Sequence, residues 1–92
     1  MNYRVIWRQR TLRNLHVFGF RLLHEGWDTD ELDLAVAEIN SRLARDPANE
    51  GESRTDPERV FIYHPLSVKY EVFEEAGVVL IYEMILYPRM RG

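Results

Sequence analysis

Ninety-two residues with 46 % hydrophobic side chains suffice for one compact core and exclude a second, so a single domain over residues 1–92 is expected. The chain has no cysteine, which removes disulfide frameworks and thiolate metal sites. A formal net charge of −3 argues against general nucleic-acid affinity, which depends on neutralising phosphate.

The N-terminal stretch lacks the apolar core of a secretory signal, and no apolar run approaches the ~18 residues of a membrane span. Residues 3–8 alternate, with Tyr3, Val5 and Trp7 on one side and Arg4, Ile6 and Arg8 on the other, which predicts a first strand. Thr11 offers an N-cap hydroxyl for a helix that runs to about residue 25 and stops at Gly26. At 100° per residue Leu12, Leu15, Gly19, Leu22 and Leu23 form its core stripe. Arg13, Val17, Phe20, Arg21 and His24 fall on the opposite side, either as a partner-binding surface or packed against neighbouring elements. Charge is uneven here: residues 1–24 carry five arginines and no acid, while residues 25–59 carry eleven acids against four arginines. A second helix is expected over residues 29–45, entered through Asp28 and Glu31 in a capping-box arrangement. Its stripe is Leu32, Ala35, Val36, Ile39 and Leu43. The short connection makes the two helices an antiparallel hairpin. Residues 46–58, rich in Pro, Gly, Asp and Asn, read as a loop.

Three strands follow at residues 59–64, 67–73 and 78–87, dense in Val, Ile, Phe and Tyr, with breaks at Pro65 and Gly77. The order β-α-α-β-β-β predicts an α+β fold: a small, mainly antiparallel four-stranded sheet with the helix hairpin on one face. Pattern alone leaves open which side of the last three strands receives the first.

The three histidines have no ligand spacing, so neither metal nor cofactor is expected. No phosphate loop or nucleophile motif is present. Glu83 interrupts an apolar strand, which suits an edge position or an ion pair with a residue such as Lys69. The remaining candidates are the bases and phenols around the sheet: Arg54, Arg59, Tyr63, His64, Lys69, Tyr82, Tyr87, Arg89 and Arg91. If the helices cover the Val68, Tyr70 and Val72 side, then Ser67, Lys69 and Glu71 line an open face. That face is either ordinary solvated surface or a place where bases hold a phosphate while a tyrosine or histidine moves a proton.

Leu43-x-x-Asp46-Pro47, Gly51-Glu52-Ser53-Arg54, Arg59-Val60, Pro65-Leu66 and the Tyr70-Glu71-Val72 strand together resemble the RelE/ParE-type toxins of bacterial toxin–antitoxin modules, also described as plasmid-stabilisation proteins. The resemblance implies the fold derived above, a cytoplasmic bacterial protein and a partner antitoxin that wraps it with an acidic and apolar segment. One branch of the family is implied to be a metal-independent, ribosome-associated mRNA endoribonuclease. Carried onto this chain, its catalytic set is Lys69, Arg59, Arg89, His64 and Tyr87. The other branch binds without cutting, as an inhibitor of DNA gyrase or with the antitoxin as sole partner. Ser67 stands where cutting members commonly carry arginine, and the acidic total also departs from them. Convergence of Lys69, Arg59 and Arg89 on one face separates the two branches.

Overall fold

The computed structural model describes residues 2–55 and 57–87. Its elements are β1 (Arg4–Trp7), α1 (Gln9–His24), α2 (Asp30–Arg45), a one-turn α3 (Pro47–Glu50), β2 (Glu52–Thr55), β3 (Glu58–Tyr63), β4 (Leu66–Phe73) and β5 (Val78–Leu86). All four expected strands and both helices are present. The stretch expected as loop supplies α3 and β2, and β2 extends the sheet to five strands in the order β1-β5-β4-β3-β2. Strands β2 to β5 pair antiparallel, and β1 joins β5 in parallel, Arg4 opposite Val78 and Trp7 opposite Ile81. The first strand thus lies beside the last, which makes β5 central.

Alternation sends Leu66, Val68 and Tyr70 of β4, with Val79 and Ile81 of β5, into a core closed by Leu15 of α1 and Leu32, Ala35, Ile39 and Leu43 of α2. Both helices therefore cover one face. The α2 stripe is as expected, with Leu32, Ala35, Ile39 and Leu43 all buried. Its entry differs slightly: Thr29 is the N-cap residue, while the Asp28 carboxylate accepts the N–H of Asp30 at 2.9 Å. Trp7 Nε1–H donates to Asn40 Oδ1 at 2.7 Å and ties β1 to α2.

Helix α1 departs further. It starts at Gln9, so Thr11 is not the cap but sits inside the first turn, buried with Leu15. The inward line runs through buried Thr11 and Leu15 and half-buried Leu22, roughly 50° round the helix from the expected stripe by the 3.6-residue period. Leu12 and Leu23, expected inside, are 37 % and 61 % exposed. The helix ends as expected at Gly26, whose φ of 83° suits glycine. There the N–H of Trp27 reaches the carbonyl of Leu22 at 2.9 Å and that of Gly26 the carbonyl of Leu23 at 3.1 Å, a Schellman closure.

Candidate functional site

The open face of the sheet is built from β3, β4 and β5. Opposite Ser67 and Lys69 on β4 lie Ile62 and Val60 on β3, and Ile85 and Glu83 on β5. Between Lys69 and Tyr70 the register steps by one on β4 and two on β5, a bulge that leaves Tyr82 as the extra residue. Lys69, the only lysine of the chain, sits between two acids, with Nζ 3.3 Å from Glu83 Oε2 and 3.7 Å from Glu58 Oε1. The hydrogen bond to Glu83 and the charge of Glu58 raise its pKa. A lysine that exchanges protons near neutrality needs the opposite shift, so Lys69 can act only as a fixed charge. Tyr82 is pushed up to about 12, by burial first and then by its hydrogen bond to Glu58. It too keeps its proton.

Arg59 lies elsewhere. It pairs directly with Tyr70, whose side chain is wholly buried on the helix-covered face. Its Nη2 donates to the Gly51 carbonyl at 2.6 Å, and its Nε donates to the Tyr70 hydroxyl at 3.4 Å. That hydroxyl donates in turn to the Pro47 carbonyl at 2.6 Å. Arg59 thus clamps α3 and the start of β2 to the sheet, and Lys69 and Arg59 occupy opposite faces. His64 sits in the β3–β4 turn, its exposed imidazole 3.7 Å from Glu31 of α2. Tyr87, just past β5, is half-exposed and tied by its backbone N–H to the Pro65 carbonyl at 2.7 Å. His64 and Tyr87 therefore share one end of the sheet, roughly 13 Å along the strand from Lys69 at 3.3 Å per residue. Tyr63 faces α2 under the Arg42 guanidinium, 5.3 Å from the ring centre, and Arg54 belongs to β2. Arg89 and Arg91 lie outside the described residues. Among those residues, no three His, Asp or Glu side chains come together as a metal site.

The outward face of α1 is uncovered. Arg13, Val17, Phe20, Arg21 and His24 are all exposed, Val17 at 51 % and Phe20 at 73 %. Arg21 lies over the Phe18 ring at 6.0 Å. A groove of about 390 Å³ runs between α1 and α2, lined chiefly by Leu15, Gly19, Phe20, Leu23, Leu32 and Val36. Sequence reasoning missed this groove. Its signal was present in excess: one helix carried more large apolar side chains than contact with a single sheet could cover.

No family model and no curated protein matches the sequence. Solved structures do share its form, RelE toxins among them. A chain of the toxin–antitoxin complex RelBE2 from Mycobacterium tuberculosis is 21 % identical, covering 94 % of this chain and 99 % of its own, with a TM-score of 0.69. A chain of the archaeal RelE–RelB complex from Pyrococcus horikoshii OT3 is 15 % identical, covering 98 % and 100 %, at 0.61. The isolated E. coli RelE toxin is 12 % identical, covering 96 % and 87 %, at 0.64. The chain has the RelE toxin fold.

Proposed function

We propose that this chain is the toxin-side component of a toxin–antitoxin module, held by an antitoxin on α1 and acting in the cytoplasm by binding a target rather than by cutting RNA. Two of the structural likenesses named above come from toxin–antitoxin complexes, which supports the module. The observation that carries the mode of action is the state of the open face. Its lysine is held by Glu58 and Glu83, Arg59 has turned to the other face, and no described phenol or ammonium there is tuned for proton transfer. A phosphodiester laid across that face would meet carboxylates before free cations. An exposed helix bearing bases and apolar anchors suits a partner segment that is acidic and apolar.

Induction in a bacterium tests this reading directly. The expected result is growth arrest with transcripts of normal length, unaltered by Lys69→Ala and relieved by coexpressing the product of the neighbouring gene. DNA gyrase, the target implied for the non-cutting branch, is the first to assay, by supercoiling with purified protein. Shortened transcripts that recover their length with Lys69→Ala would return the chain to the ribosome-dependent endoribonucleases. Unchanged growth on induction would remove the toxin reading altogether.

A further inference from the structure

A second cleft, independent of the toxin reading, opens where β1 hands over to α1. It measures about 390 Å³ and is lined by Arg8, Arg10, Thr11 and Asn14 from the helix start and by Tyr82, Glu83 and Met84 from β5. Helix α1 begins there without a side-chain cap and without any acid in its first turn. The Arg8 backbone is fully engaged, its N–H on the Ile81 carbonyl at 2.8 Å and its carbonyl accepting from Leu12 at 2.9 Å. The N–H groups of Gln9, Arg10 and Thr11 come next, and a helix supplies no acceptor for them. Arg8 and Arg10 are exposed and pair with no carboxylate among the described residues.

Thr11 adds an observation of a different kind. It is 3 % exposed, and its hydroxyl has no hydrogen-bond partner among the described residues. Yet no sealed side-chain oxygen or nitrogen among the described residues lacks a partner. The hydroxyl therefore reaches the cleft that Thr11 lines. A nearly buried polar group in the wall of a cleft, with no protein partner among the described residues, is placed to receive a ligand atom.

We propose that this cleft binds the phosphate group of a small ligand or phosphate itself. Helix-start amides pointing outward with the helix dipole favour an anion. Two unpaired guanidinium groups match phosphate oxygens in geometry and charge. The Thr11 hydroxyl and the Asn14 amide complete a donor-rich wall. Glu83, the one acid in the lining, is already answered by Lys69 at 3.3 Å. The open volume beyond the donors leaves room for whatever carries the phosphate.

Titrating inorganic phosphate into the isotope-labelled full chain, with ionic strength fixed by potassium chloride, tests the site through amide resonances. Saturable shifts are expected at residues 9–12. Arg8→Gln combined with Arg10→Gln weakens binding about tenfold or more, from the loss of charge-assisted bonds. Thr11→Val weakens it and Thr11→Ser retains it, with melting temperatures recorded for each variant. Absent or unsaturable shifts, equal shifts from chloride alone, or an unchanged affinity in the double arginine variant would overturn the proposal. A parallel titration with a short oligonucleotide lacking terminal phosphate identifies the source. Saturation at the same amides supports the site with a phosphodiester ligand, and silence beside a saturating phosphate supports it with a monoester or the free ion.

Discussion

The hydroxyl of Tyr70 lies at the edge of the apolar core, and its bond to the Pro47 carbonyl anchors α3. Tyr70→Phe leaves that carbonyl without its donor and should cost about 1–2 kcal/mol, read as a lower denaturation midpoint with an unchanged slope. Gly51 explains how close the packing is: a Cβ there would stand 2.5 Å from the Tyr70 hydroxyl and 2.7 Å from the Val60 carbonyl. On the open face, Lys69 and Tyr82 both have raised pKa values. For each, the folded state holds its proton beyond the ordinary value of 10.5 or 10.0. The stabilisation is complete below those values and is lost as pH rises through the folded ones. Stability should therefore fall between about pH 10 and 12, and Lys69→Met with Tyr82→Phe should flatten that fall in urea titrations run across the range.

At the scale of elements, α1 is the informative case. Its outward face was legible because bases and apolar residues recur together at helical spacing, and Val17 and Phe20 are indeed exposed. Val17→Ser with Phe20→Ser should leave the melting temperature unchanged while weakening partner affinity, since burying a side chain such as Phe20 contributes roughly 1.5–3 kcal/mol. A collapsed melting temperature would place both residues in the core instead. The inward stripe of α1 was legible at Leu15 and Leu22 but missed at its edge, because Thr11, a polar residue, takes a core position while Leu12 and Leu23 stay outside. Hydrophobic periodicity cannot see such an exchange. Strand β2 escaped for a related reason. Its Glu-Ser-Arg-Thr sequence has no apolar alternation, and backbone pairing to β3 alone makes it a strand. Helix α2 was legible throughout, since acids at its start, bases at its end and an apolar line all agree.

At the scale of the molecule, the polar open face could be read from β4 alone, but its chemistry could not. Whether Lys69 is free or neutralised depends on which residues of β3 and β5 lie beside it, and that register is set by a bulge no single strand reveals. The same central position of β5 has a consequence for how the protein is made. Among the described residues, strand β1 pairs with β5 alone and α1 packs on it, yet β5 follows every other described strand in the chain. A chain ending at Gly77 should lack cooperative unfolding by circular dichroism, with β1 deprived of its strand partner and α1 of the β5 face it packs on. During translation β1 can reach α2 through Trp7 and Asn40, but its strand pairing must wait until β5 emerges. Pairing of β1 is thus deferred until β5 has been made, and a chain released before that point leaves the first strand without its ladder.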